Sequence, residues 1–560
     1  MPDHPWLAFY DPGVPAKITV PESALPDLLA ATAHAHPAAP AMLFYGRVVN
    51  YATLDRLATR FAGALLKSGV QPGERIALVL PNIPQAVIAC YGAWRAGAIV
   101  ALTNPIFEAG GLVRQLTDAG ATTLIALSMF YPLVVAVRER AGVQRVIYTN
   151  LKEFLPPGQR RLFTLLRQER EGHRVPDHEA HCALWMAHML AEEPIVPLPQ
   201  TNPGKPAAIL YTGGTTGEAK GVVHTHRSLV ANALQVAAWL PAARHGAERV
   251  ICVLPFSHAY GLTACMNFSV AIAAAMILLP TFETGNVLHA IRRERATIFP
   301  GVPPMYAAIA EIKDARRYGL ASLRACISGA APLPVEVQEG FERVTRARLV
   351  EGYGLTEAGP VTHANPLGAS HERHATIGIP LPSTEAKIVD PVTGADLPPG
   401  RIGELLVRGP QIMQGYWNRP EDTAEAFTPD GWLRTGDMAR MDADGFFQII
   451  ERKKDVIIAG PYNIYPRDIE EVLYQHPKVL EAAVASAHHT GEHPNLRAFV
   501  VLRQGERATA DEIIGFLRER LSAHKVPSVV EFRDALPRSF IGKVLRRALL
   551  DDHPDHRDHP

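Results

Sequence analysis

Apolar positions between Tyr51 and Gly69 recur at helical spacing, and from Arg75 to Leu80 they become nearly continuous, as in a buried strand. The exchange repeats. Ile83–Ala96 reads as helix, Ile99–Thr103 as strand, Gly110–Gly120 as helix and Thr123–Leu127 as strand. Such alternation predicts an α/β fold with parallel sheets covered by helices, and the same rhythm returns from Ala207 to about Pro366. Ile377–Phe447 is richer in strands, with turns marked by Asp390-Pro391, Pro398-Pro399-Gly400 and Asp442–Gly445. A smaller α+β unit follows from Ile449: helix Ile469–Tyr474, strands near Ala482–Ser486 and Arg497–Leu502, then helix Ala510–Leu521. The pattern contains no internal repeat.

Two segments break the rhythm. Lys152 to Pro194 lacks strand character and reads as a helical insertion, in which Arg160-Arg161-Leu162-Phe163-Thr164-Leu165-Leu166-Arg167 mixes basic and apolar residues at helical spacing. A solvated helix packed on the domain is the plain reading; a patch resting on an anionic membrane surface is the sharper one. Val250 to Phe282 carries no formal charge, yet Pro255, Ser257, His258, Asn267 and Pro280 interrupt it. A buried helix leading into a buried strand, Ala275–Leu279, is expected there rather than a membrane span.

With 560 residues, more than one domain is expected. Lys plus Arg and Asp plus Glu number 56 each, which offers no footprint for nucleic acid. Five scattered cysteines give neither metal spacing nor a disulfide framework, and the start of the chain lacks a signal-peptide pattern, so a cytoplasmic location is expected.

The chemistry concentrates first in Tyr211-Thr-Gly-Gly-Thr-Thr-Gly-Glu-Ala-Lys-Gly221, directly after the apolar strand Ala207–Leu210. Glycines admit close backbone approach, threonines add hydroxyl donors and Lys220 adds positive charge, as a loop around phosphates requires. The spacing is neither that of the P-loop nor that of a dinucleotide fold. Gly352-Tyr353-Gly354-Leu355-Thr356-Glu357 offers a flat surface, a ring for stacking and a carboxylate suited to Mg²⁺. Asp437, closing Gly431-Trp-Leu-Arg-Thr-Gly-Asp, offers a bidentate acceptor, and Glu451-Arg-Lys-Lys-Asp455 is a charged linker. Near the end stands Pro537-Arg-Ser-Phe-Ile-Gly-Lys-Val-Leu-Arg546.

These five motifs, in this order, resemble the adenylate-forming superfamily: acyl-CoA synthetases, aryl-CoA ligases, peptide-synthetase adenylation domains and beetle luciferases. The Gly213-Gly214 start, where serine is commoner at the first position, resembles the bacterial long-chain fatty acid–CoA ligases. The resemblance runs from about Tyr51 to Leu549. It implies a large adenylation domain at 1–453 and a small mobile lid domain at 454–550 beginning at the hinge Lys454; the His- and Asp-rich composition of 551–560 reads as a disordered tail. It further implies that Thr212, Gly213, Gly214, Thr215, Thr216, Gly217 and Lys220 hold the ATP phosphates. Gly329, Ala330, Ala331, Gly352, Tyr353, Gly354, Asp437 and Arg452 would hold adenine and ribose, and Glu357 with Thr212 the Mg²⁺. Lys543, Glu357 and Thr356 would be catalytic.

Phe256, His258, Tyr260, Gly261 and Val302 match the acyl pocket. No aspartate stands in Pro255–Gly261 to hold an α-amine, and Ala271–Ala275 with Gly301-Val302 read as small residues flanking an alkyl channel. A medium- or long-chain fatty acid is therefore expected, with an aromatic acid as the rival. Gly460, Pro461 and Tyr462 match the loop that CoA passes, where relatives carry Ser-Gly in place of Gly460-Pro461. A second departure is Ala487-His488-His489 for Val-Pro-Asp. The expected activity is acyl-AMP formation from ATP, then transfer to CoA; a carrier-protein acyl-AMP ligase and a non-catalytic acyl-adenylate binder are the alternatives. Expected partners are the carboxylic acid and CoA, with peripheral contact at the inner face of the membrane through 152–194 and a homodimer left open.

Overall fold

The computed structural model describes residues 4–103, 109–176, 184–193, 197–212, 219–312, 314–368, 373–459, 462–486, 490–491, 496–538 and 544–551. The alternation resolves into two large sheets. One has eight strands, with Arg75–Val79 between Ile99–Leu102 and Thr123–Leu127, all parallel, extended by Pro206–Tyr211 on one side and Arg145–Thr149 on the other. The other has nine, six of them forming a parallel run from Pro40–Phe44 through Ala275–Leu278, Arg249–Cys252, Ile298–Gly301 and Ala325–Ser328 to Arg348–Gly354. These strands are short and apolar because both faces are covered.

Helices Tyr51–Lys67, Pro84–Arg95 and His226–Trp239 pack into a core shared by both sheets. Every residue of Pro84–Arg95 except Arg95 is buried, so this helix is apolar on all sides. Its aromatic polar tips are satisfied: Trp94 Nε1 donates to the Ala207 carbonyl at 2.8 Å and the Tyr91 hydroxyl meets Asn267 Oδ1 at 3.1 Å. A large side chain buried in this way contributes roughly 1.5–3 kcal/mol, so the helical layer sets how the two sheets are held together.

The uncharged stretch folds as expected, into helical residues Gly261–Ala271 followed by the buried strand Ala275–Leu278. Among the described residues, no helix is long and apolar enough to cross a membrane. The 152–194 insertion contains the helix Pro157–Leu166 but also, against expectation, a strand, Leu184–Trp185, at the edge of the eight-stranded sheet beside Ile147 and Tyr148. Two residues are too few to leave a period in the sequence.

A four-stranded antiparallel sheet follows, from Glu385–Val389, Gly403–Arg408, Leu433–Met441 and Phe447–Arg452. The C-terminal unit has its own core, in which Ile457, Ile469, Leu473, Val484, Leu496, Val500, Ile513 and Leu517 are buried together. The loops after Pro206–Tyr211, Ala325–Ser328 and Arg348–Gly354 leave from the carboxyl ends of parallel-sheet strands, where α/β folds form their crevices.

Candidate active site

The strand Pro206–Tyr211 turns back through residues 212–220 into Gly221–Thr225, and Thr212 N–H donates to the Lys220 carbonyl at 3.1 Å to close the turn. Gly213, Gly214, Thr215, Thr216 and Gly217 lie outside the described residues. Lys220 is not held in reserve: it pairs with Asp422 and sits 5.1 Å from the Tyr416 ring centre. Tyr416 donates its hydroxyl hydrogen to Glu357 Oε1 at 2.9 Å. Neither Tyr416 nor Asp422 was legible as a site residue, since both come from an unremarkable strand and helix start.

Glu357 stands on the short turn Thr356–Ala358 between the antiparallel strands Arg348–Gly354 and Val361–Ala364. Thr356 contributes its carbonyl, which accepts from His224 Nε2 at 2.7 Å. A carbonyl can only accept, so Nε2 carries the proton and Nδ1 faces Ser228 Oγ at 3.2 Å. Burial lowers the His224 pKa to about 4, keeping the ring neutral. Gly354 has a packing reason to be glycine: a Cβ there would lie 1.9 Å from the Pro360 carbonyl oxygen.

Pairing of Leu433–Met441 with Phe447–Arg452 sets Asp437 opposite Arg452, and Arg452 Nε reaches Asp437 Oδ1 at 2.8 Å. The Tyr353 hydroxyl donates to Asp437 Oδ2, and its ring packs against His363 at 5.9 Å. Asp437, with smaller pulls from Tyr353, Glu357 and Asp455, holds the Arg452 guanidinium above its ordinary pKa against the opposing effect of burial. Both Asp437 oxygens are thus oriented by protein donors. A carboxylate has about four acceptor positions, so it retains capacity for a diol. The ribose candidates therefore meet in one place, and the charge of Glu357 is felt by Arg452 there.

Gly329 must be glycine because the Tyr260 ring would lie 2.9 Å from a Cβ. Tyr260 donates its hydroxyl hydrogen to the Ile327 carbonyl at 2.8 Å, tying the acyl-pocket segment to the adenine segment. Ala330 has φ +67°, a strained value for a non-glycine residue, and Ala331 follows it at the loop after the strand. Ser328 Oγ is buried without a hydrogen-bond partner among the described residues. Strain and an orphaned hydroxyl at one strand end suit a ligand site.

In the acyl segment, Phe256 is buried and its N–H donates to Asn82 Oδ1 at 3.0 Å; Asn82 Nδ2 in turn binds the Cys252 and Leu254 carbonyls. His258 Nδ1 accepts the Tyr260 N–H at 3.1 Å, and burial lowers its pKa to about 4. Gly261 packs on backbone, where a Cβ would lie 2.2 Å from the Pro255 oxygen, and Val302 joins the apolar core. Several small residues of the expected alkyl channel pack against aromatic side chains. Tyr306 fills the space at Gly301, its hydroxyl 2.8 Å from a Cβ position. Ala273 and Ala274 are buried in the core, with the Tyr51 hydroxyl donating to the Ala274 carbonyl at 2.7 Å. Small side chains here accommodate aromatic neighbours, which sequence cannot distinguish from open space.

Lys454 lies in the turn Lys453–Asp455, where burial lowers its pKa despite the charge of Asp455. Tyr462 begins the strand Tyr462–Ile464, and Gly460, Pro461 and Lys543 lie outside the described residues.

A family model for AMP-binding enzymes matches residues 29–417, and one for the AMP-binding enzyme C-terminal domain matches 468–543. The chain belongs to the AMP-binding enzyme family. A long-chain-fatty-acid–CoA ligase of Bacillus subtilis strain 168 is 42% identical over 554 residues, spanning 99% of this chain and 98% of the relative. The ATP-bound structure of MatB from Rhodopseudomonas palustris superposes with a TM-score of 0.81 at 27% identity, covering 94% of this chain and 98% of that one. Apo MatB, over the same shares and at the same identity, gives 0.72. The anthranilate CoA ligase AuaEII with anthranoyl-AMP gives 0.82 at 25% identity, covering 95% and 98%.

The donor set fits the ligands this family takes. Asp437 and Arg452 offer acceptor and donor for a ribose. Glu357 Oε2, without a partner among the described residues, offers a hard oxygen to Mg²⁺.

Proposed function

We propose that this chain activates a long-chain fatty acid with ATP, releasing pyrophosphate, and transfers the resulting acyl-AMP to CoA. The observation that carries the nucleotide half is the convergence of Asp437, Arg452, Tyr353 and Glu357. Support for the fatty acid comes from the full-length similarity to the Bacillus subtilis ligase and from the absence of an aspartate in Pro255–Gly261.

In this reading the small domain begins at Lys454 and ends near 550. The loop at 212–220 surrounds the phosphates, Ala330 and Ala331 border adenine, and Asp437 accepts the ribose hydroxyls. Lys543 supplies positive charge where the carboxylate meets the α-phosphorus and pyrophosphate leaves; stabilising that charge is most of the catalysis. Glu357 and Thr212 would hold Mg²⁺, which would supply positive charge against the phosphates. CoA enters past Gly460, Pro461 and Tyr462.

Purified protein given ATP, Mg²⁺ and a panel of fatty and aryl acids, with and without CoA, tests this. AMP and fatty acyl-CoA are expected. Preference for aryl acids would move the reading to an aryl-CoA ligase, and arrest at acyl-AMP despite CoA to a carrier-loading ligase. No AMP with any acid would leave a binder.

We also propose contact with an anionic membrane surface. On Pro157–Leu166 Phe163 alone is buried, while Leu162, Leu165 and Leu166 are exposed beside Arg160 and Arg161. Arg160, Arg161 and Leu165, with Arg47 and Leu155, border a groove of about 900 Å³. Co-sedimentation with anionic liposomes is expected, and to weaken when Arg160, Arg161 and Arg167 become Gln; no binding by either protein would sink the idea.

A further inference from the structure

An ion cluster straddles the proposed hinge. Arg546 Nη2 holds both oxygens of Glu470, at 2.9 and 2.8 Å, while its Nη1 reaches Glu451 Oε1 at 2.8 Å and Asp455 Oδ2 at 3.5 Å. The other oxygen of Glu451 accepts the Arg467 N–H at 3.0 Å, and Arg467 Nη1 donates to the Ile449 carbonyl at 3.0 Å. The Glu451 side chain is only 5% exposed. Burial pushes its carboxyl pKa up and Arg546 opposes that rise.

Glu451 precedes Lys454, whereas Arg467, Glu470 and Arg546 follow it. Rotation about Lys454 would carry Arg546 and Glu470 together and keep their bidentate pair. It would separate Glu451 from both arginines and return it to water, so no charge is stranded on either side. The cluster therefore stabilises one domain arrangement selectively. Over the whole chain, the structure superposes better on ATP-bound MatB than on apo MatB, with TM-scores of 0.81 and 0.72 at equal coverage.

We propose that Glu451 is a positioning residue that, through Arg546 and Arg467, latches the small domain in the adenylating arrangement and so governs passage to thioester formation. The proposal rests on the two-step reading above.

Its test separates the half-reactions. ATP–pyrophosphate exchange with a long-chain fatty acid reports the first, and CoA-dependent consumption of preformed acyl-AMP reports the second. Glu451→Gln is expected to slow exchange about tenfold, as for loss of one charge-assisted hydrogen bond, with acyl-AMP consumption unchanged or faster. Glu451→Asp should recover part of the exchange. A parallel fall in both half-reactions, or no change in either, overturns the latch.

A second measurement does not depend on turnover. Spin labels at Ala395→Cys and Glu506→Cys, on exposed turns of the two domains in a Cys182→Ser background, report their separation with ATP present. Glu451→Gln should broaden or shift that distance, and an unaltered distribution counts against the latch. If the distance shifts while the unsubstituted chain releases no pyrophosphate, the latch stands and the two-step reading falls.

Discussion

Tyr416 donates its hydroxyl hydrogen to Glu357 Oε1 at 2.9 Å while its ring lies 5.1 Å from Lys220 Nζ, so one side chain touches both the metal candidate and the phosphate-loop lysine. A hydrogen bond to a charged group is worth about 1.5–3 kcal/mol. Tyr416→Phe keeps the ring under Lys220 and removes that bond alone. We expect the apparent Mg²⁺ requirement of ATP–pyrophosphate exchange to rise about tenfold, the lower end of that range. Thermal stability should hardly change, since Tyr416 is partly exposed at the rim of the site.

Asp437 is a second case in which geometry multiplies one residue's effect. It receives Arg452 and Tyr353 together, and its side chain is 3% exposed. Asp437→Asn would leave the guanidinium without its counter-charge and turn one acceptor into a donor facing Arg452. KM for ATP should rise by at least about 100-fold, the equivalent of the 3–5 kcal/mol lost when one partner of a buried pair is removed. Arg452→Gln should cost less because Asp437 keeps Tyr353. Titration of KM for ATP in both variants checks the order.

The large sheets were legible because their strands are apolar runs with helical periods between them; Thr123–Leu127 is a strand over those same residues. The site was legible only where side-chain type announces chemistry, as at Glu357, Asp437 and Arg452. Residues that act by position left no signal. Asn82 orders the Cys252–Phe256 segment from 170 residues away, and Tyr416 reaches Glu357 across 59. Small residues are ambiguous in the same way, for Gly301 makes room for the Tyr306 ring.

Glu351, immediately before the Gly352–Glu357 motif, has its carboxyl pushed up to about 7 by burial, against the attraction of Arg467. Its contribution to stability is complete below its unfolded value near 4.5 and disappears as pH rises through 7, because the unfolded chain then holds the charge more easily. Glu351→Gln, which cannot ionise, should remove that fall. Tm followed from pH 5 to 8 should decline less in the variant than in the parent chain. Parallel curves would show that Glu351 does not titrate in this range.

His224 works on the acid side. Its pKa is lowered to about 4 by burial, so its contribution is whole above the ordinary value of 6.5 and is lost as pH falls toward 4. His226, His258 and His363 are buried with pKa values lowered to about 3, 4 and 3, and add to the same acid sensitivity. What distinguishes His224 is its bond to the Thr356 carbonyl, one residue from Glu357. His224→Ala leaves that buried acceptor unsatisfied, at a cost of about 1–3 kcal/mol, and frees the turn that aims Glu357. We expect slower ATP–pyrophosphate exchange together with a lower Tm at pH 7, and a Tm deficit that shrinks as pH falls from 7 to 5 and the parent chain loses the contribution of its neutral imidazole. His224→Gln, which can restore a donor to Thr356, should recover much of the exchange rate. Equal exchange in the Ala and Gln variants would reduce His224 to a core residue.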